Sequence, residues 1–373
     1  MTNSSGNITF VLVSDLTVNG TFEVSSPTDV GTATWQINNG SGTQRTIILN
    51  DDLTIAANGL ITVGTGNEGS TSQHNLTTYA DITNNGNVEF FDGTDPELQT
   101  TYGDPSGQHT NELQGNAVTV TFSGTTDNTL TCNNNTDFYR LVLDKGTGQQ
   151  AVLTVNSSST ANFRLFGPSD LGFTGSAPNQ TSQDALSIIN GTLELSGSID
   201  IPFLTLATGN NYFPIPQNGA LWLNGANVIV NLTDDNTAHA NSLGHRIMLS
   251  GLMRVTDGIF DAQHGGGIGS QDGGAYLQEG GTVTTWQFRP RSAGSGVFSF
   301  NMTGGTLNVG YTYATNGGYT NNAWSRFDLS SVNSTFQMSG GTLNVAKPTD
   351  AALFQSKSLR RIFYYSNSSA TNQ

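Results

Sequence analysis

The residues best suited to chemistry are acidic and lie in polar, turn-like sequence. Asn135-Thr136-Asp137 and the pair Asp234-Asp235 hold carboxylates of the kind glycoside hydrolysis uses, one as acid and one as base or nucleophile. Asp137 and Asp234 stand 97 residues apart, too far in a chain of short repeats to share one cleft, so both read as turn residues. The run from His264 to Gly267 could line an oxyanion hole, but no Gly-x-Ser-x-Gly nucleophile elbow accompanies it, which leaves a glycine-rich corner. The five histidines, His74, His109, His239, His245 and His264, show no metal-binding spacing and read as solvated loop residues. Loop carboxylates suit a hard cation, so calcium is the one candidate ion, but exposed turn residues are the default reading and no cofactor is expected. Asp257 with Asp261 is the candidate pair, beside Asp51-Asp52 and Asp234-Asp235. A last feature is aromatic: Tyr311, Tyr313, Tyr319 and Trp324 stud a Gly/Asn/Thr-rich stretch. Flat rings beside amide and hydroxyl groups can receive sugar rings, although they can equally pack a loop against its support.

These residues need elements to hold them, and the elements are short strands. Glycine supplies 45 of 373 residues, only 11% are charged, and Thr, Val, Ile and Phe recur in brief alternating runs. Phe300-Asn-Met-Thr-Gly-Gly-Thr-Leu-Asn-Val309 returns as Phe336-Gln-Met-Ser-Gly-Gly-Thr-Leu-Asn-Val345, identical at eight of ten positions. Looser copies open at Asn19, Asn58, Asn85, Asn190, Asn218, Asp257 and Gly280. The glycines before these strands, Gly191, Gly219, Gly258, Gly281, Gly305 and Gly341, step by 28, 39, 23, 24 and 36 residues. Gly20, Gly59 and Gly86 step by 39 and 27. A basic coil of 23 to 24 residues, lengthened by inserted loops, accounts for both series. Glycine turns the corner, and Thr-Leu-Asn-Val then alternates, burying Leu and Val when coils stack. Phe300 with Phe336 and Met302 with Met338 become equivalent core positions. A fixed coil length argues against an antiparallel sandwich. The expected fold is all-β, a parallel β-helix (β-solenoid) with irregular coils and inserted loops. It runs as one solenoid over 1–347, with a soft boundary near 168–184 and a cap, tail or further coil over 348–373.

The formal charge of −15 disfavours nucleic acid, which needs clustered Lys and Arg. No apolar run is long enough to span a membrane. Cys132 is the only cysteine, so no internal disulfide can form. The opening residues lack the pattern of a signal peptide, and the expectation is a mature form or an excerpt of a longer secreted chain.

The Gly-Gly-Thr-Leu-Asn-Val copies resemble the strand repeats of autotransporter passenger domains and related bacterial surface solenoids. Val118–Leu130 and Asn133–Gly148 are similar to repeats in very large secreted proteins of Bacteroidota-like bacteria. The resemblance implies a right-handed parallel β-helix outside the cell, adhesive or structural. Pectin-cleaving β-helix hydrolases are a second comparison, but Gly244-His245-Arg246-Ile247 leaves both their Gly-His-Gly and their Arg-Ile-Lys triplets incomplete. The leading expectation is therefore a non-catalytic, extracellular or cell-surface bacterial protein. Its partners are itself, neighbouring segments of a longer chain, or surface glycans. The alternative is a carbohydrate-active β-helix of lyase, hydrolase or tailspike type, or a glycan-binding one.

Overall fold

The structure, a computed structural model, describes residues 6–26, 31–38, 43–64, 74–90, 117–166, 185–201, 204, 212–231, 246–290, 297–310, 326–329, 333–345 and 362–365. It is all-β, and every strand pairing recorded among the described residues is parallel. The chain divides into two compact units, Met1–Ile201 and Pro202–Gln373.

The first unit is a parallel β-solenoid with three faces. Ile8–Val11, Ala33–Gln36, Gly59–Thr62, Asn87–Glu89, Thr136–Phe138 and Phe163–Leu165 stack in that order on the first face. Leu16–Val18, Thr46–Leu49, His74–Thr78, Val118–Gly124 and Arg140–Lys145 form the second. Phe22–Val24, Leu53–Ile55, Ile82–Asn84, Asn128–Cys132 and Val152–Ser157 form the third. The long strand Leu186–Ile201 bends from the second face to the third, with Gly191 at positive φ between the two pairings. On the first face, successive partners lie 25, 26, 27, 48 and 27 residues apart. The 48-residue coil contains 91–116, outside the described residues, and the register on either side of it is kept.

The second unit repeats the plan. Gly219–Leu223, Leu252–Val255, Ala275–Gln278, Ser299–Met302 and Thr335–Met338 stack on one face. Asn227–Asn231, the start of Ile259–Ser270, the start of Thr282–Pro290, Thr306–Val309 and Thr342–Val345 stack on the next. There Ile259, Thr282, Thr306 and Thr342 are register partners, so the coil steps are 23, 24 and 36, as the glycine spacing predicts. Ile362–Tyr365 pairs with Arg326–Leu329, so the segment after 347 adds a strand in register.

Two inferred equivalences are corrected. Gly219 opens a strand of the face whose next member is Leu252–Val255, whereas Gly258 precedes a strand of the adjacent face. Gly20 likewise precedes a third-face strand, while Gly59 begins a first-face strand whose true counterpart follows Gly86. Both 39-residue steps join different faces, so neither is a coil length; the same-face steps there are 32 and 31 residues. The cause is that every corner, whatever face it leads to, favours glycine.

Inward positions alternate with outward ones along each strand and fill the interior with Val, Ile, Leu and Phe. Phe90, Phe138 and Phe163 form one aromatic column, at centroid spacings of 5.5 and 5.8 Å. Tyr276, Phe300 and Phe336 form another, stacked with their rings nearly parallel, at 5.2 Å each. Burial of each such ring contributes about 1.5–3 kcal/mol.

Candidate functional site

The corners are where this fold places its polar chemistry. A backbone that turns inward must find partners for its carbonyls, and buried amides supply them. Asn84, fully buried at the end of a third-face strand, donates to Asn135 O and Thr136 Oγ1 at 2.8 and 2.9 Å. Its Oδ1 accepts from Gly86 N. Gln278 does the same in the second unit, donating to Gly280 O, Gly281 O and Thr306 O while Tyr276 donates to its Oε1.

On the outside of the corners, carboxylates link successive coils. Asp15 accepts from Thr46 N, Asp52 from Asp81 N, Asp81 from Thr129 N, Asp127 from Val152 N and Asp272 from Val297 N, all at 2.8–3.1 Å. Each is one coil's side chain capping the strand entry of the next. Asparagine ladders run in the same direction, Asn50 to Asn19, Asn133 to Asn85 and Asn344 to Asn308.

Lysine appears once in the described residues, and it is buried. Lys145 ends Arg140–Lys145 at 0% exposure, donating to Ser123 O at 3.1 Å and to Asn128 Oδ1. Asn128 Nδ2 in turn donates to Asp81 Oδ1 and Tyr79 O. Burial lowers the Lys145 pKa, against the weaker attraction of Asp127 and Asp81.

The residues singled out by sequence are distributed as follows. Tyr311, Tyr313, Tyr319 and Trp324 lie outside the described residues, between Thr306–Val309 and Arg326–Leu329. Asp257 is exposed and its Oδ1 accepts from Gly258 N, a local turn bond; Asp261 lies on a strand, in register with Asn231 and Thr284. Among the described residues no group of three His, Cys, Asp or Glu could hold a metal ion. Asp234, Asp235, His109, His239 and His245 lie outside the described residues.

Two readings need correction. Asp137 is not a turn residue: it is buried on Thr136–Phe138, where the Arg164 guanidinium on the next coil holds it with two hydrogen bonds. Burial raises its pKa, and Arg164 opposes that. His74 is not solvated: it opens His74–Thr78 at 2% exposure, and its Nδ1 accepts from Arg45 N at 2.9 Å. Burial and the Arg45 charge lower its pKa to about 4. Polar flanking sequence concealed both, because a short strand looks like loop when its neighbours are Asn and Thr; His74 points inward, whereas Asp137 lies on the outer side and is covered by Arg164.

On the outer face of the second unit, Trp222 carries the Arg254 guanidinium over its ring at 4.2 Å, and Arg254 pairs with Glu279 at 2.7 Å. Trp222 Nε1 donates to Thr256 Oγ1. This is a ladder across three coils with each member already partnered.

The outermost described coils differ from those between them. Ile8 and Phe10 occupy inward positions, in register with buried Ala33 and Trp35, yet are 46% and 53% exposed. In the second unit Met338 is 37% exposed, although its register partner Met302 is fully buried. Phe336, Leu343 and Val345 are half-buried where Phe300, Leu307 and Val309 are fully buried.

No known protein family, curated protein or solved structure matches the chain.

Proposed function

We propose that the protein is a non-catalytic, extracellular structural or adhesive solenoid of the bacterial surface, and that it assembles end to end with further copies of itself. The observation that carries the reading is the pair of apolar ladders, Ile8 with Phe10 and Phe336 with Met338, left open on the outermost described coils. Stacking is how each coil buries its inward face, so an open face favours one more coil. A partner built on the same plan can pair several edges at once, and the other open coil of a second copy is such a partner. A head-to-tail contact of this kind does not close on itself and extends into a filament. The acidic composition, the scarcity of lysine and the lone buried Cys132 accord with a surface role. The carboxylate best placed on a strand, Asp137, is committed to Arg164.

Sedimentation velocity and electron microscopy across a concentration series test the proposal. Growth of ordered rods with concentration is expected, abolished by Phe10→Glu and by Met338→Glu with the fold retained. A strictly monomeric particle at every concentration would overturn it.

A further inference from the structure

We propose that the side chains of Lys145 and Asn128 are joined by an intramolecular isopeptide bond, formed without a cofactor by loss of ammonia. The amine and the amide lie against each other in a buried corner, with Nζ touching Asn128 Oδ1. The electrophilic carbon Cγ is one C=O bond, about 1.2 Å, beyond that oxygen. Among the described residues no carboxylate stands within ion-pair distance of Nζ, so the ammonium has no direct counter-ion there. Burial acts in the same sense, favouring the neutral amine, which is the nucleophilic form.

The leaving group is held as well. Asn128 Nδ2 donates to Asp81 Oδ1 at 3.3 Å and to Tyr79 O at 3.4 Å. Asp81 Oδ1 is itself fixed by Thr129 N at 2.9 Å. The neutral Lys145 amine adds to Cγ, forming the Nζ–Cγ bond and a tetrahedral centre. One Nζ proton passes across the tetrahedral centre to Nδ2, which Asp81 Oδ1 orients by accepting its hydrogen bond, as the Cγ–Nδ2 bond breaks. Ammonia leaves past Asp81 and Tyr79, which lie at the outer edge of the corner. No oxidant or metal is consumed. Fixing amine and amide in contact supplies the proximity that makes so sluggish a substitution accessible.

The link would span one coil. Lys145 is the register partner of Gly124, just before the corner that Asn128 closes, so the bond clamps consecutive coils at a shared corner. A chain whose one cysteine is buried has no disulfide with which to do this.

The test is the intact mass of the folded, purified full chain, read under denaturing conditions, followed by peptide mapping. The expected mass is lighter than the sequence by one ammonia, with a branched peptide joining the segments around 128 and 145. Lys145→Met and Asp81→Asn should restore the full sequence mass. Asn128→Asp should lose one water instead and reach the same final mass as the unaltered protein. A folded chain at full sequence mass would overturn the proposal. So would an ammonia loss that maps to an Asn-Gly succinimide. Neither outcome depends on whether a variant folds, nor on end-to-end assembly.

Discussion

Alanine at Gly305 would test why the repeat carries two adjacent glycines. Gly305 has φ +73, a conformation that costs a residue with a Cβ about 1–2 kcal/mol. The added methyl would also lie 2.2 Å from Gly280 O and 2.5 Å from Gly280 C, both backbone atoms of the preceding coil. Relief requires the two coils to part by about 1 Å, because carbon and oxygen repel steeply inside van der Waals contact. That movement strains the bonds from Thr306 N to Gly281 O and from Thr342 N to Gly305 O, each 2.9 Å. At about 0.5–1.5 kcal/mol apiece, the two hydrogen bonds bring the expected loss to about 2–5 kcal/mol. Because solenoids unfold in sections, hydrogen exchange read by mass spectrometry is the suitable assay. Amides in Ser299–Met302 and Thr306–Val309 should exchange about 30-fold faster or more, since 1.4 kcal/mol is tenfold. Gly20→Ala is the control, because a methyl at Gly20 would meet no atom within 4 Å and the φ there is not left-handed. Equal protection in the two variants would refute the steric account of the repeat.

Three further outcomes follow from the interior. His74 has a folded pKa near 4 against 6.5 unfolded, so its contribution is complete above 6.5 and lost as pH falls through 4. That is about 3 kcal/mol, from burial and the nearby Arg45 charge, which both disfavour the imidazolium; His74→Leu should flatten the dependence, and an imidazole titrating near 6.5 by NMR would disprove it. Cys132, fully buried with its pKa pushed up to about 12, should resist thiol reagents in the folded protein and react once on unfolding; native labelling would contradict its burial. Asn84→Leu should destabilise the neighbouring coils by about 2 kcal/mol or more, because corner carbonyls lose their donor; an unchanged denaturation midpoint would show that water replaces it.

The fold was legible wherever the sequence copies itself. Phe300 and Phe336 pair in register, as do Met302 and Met338, and the 23- and 24-residue steps are coil lengths. The second glycine of each pair is also explained, since Gly281, Gly305 and Gly341 all adopt positive φ. What sequence could not separate was one corner from another, because Gly20 and Gly219 turn the chain as Gly59 and Gly258 do. Nor does it mark buried polar residues: Lys145, Asn128 and Asp137 are typical of loops until strand phase and register are known. The Lys145–Asn128 contact in particular joins different faces of successive coils, and no local pattern announces it.

The outer carboxylate caps make each coil complete its neighbour in one direction only. Asp52 serves Asp81, and Asp81 serves Thr129, across coils of very different length. A coil therefore carries its own junction. Gene duplication could add one, or delete one, and the flanking coils would meet through the same bonds. The 48-residue coil shows how the corners tolerate added length while the register holds. The paired corner glycines, Gly280 with Gly281, Gly304 with Gly305 and Gly340 with Gly341, leave no room for a methyl. Variation in such a lineage is thus directed outward, into loops that decorate a spine whose length can change by whole coils and whose cross-section cannot.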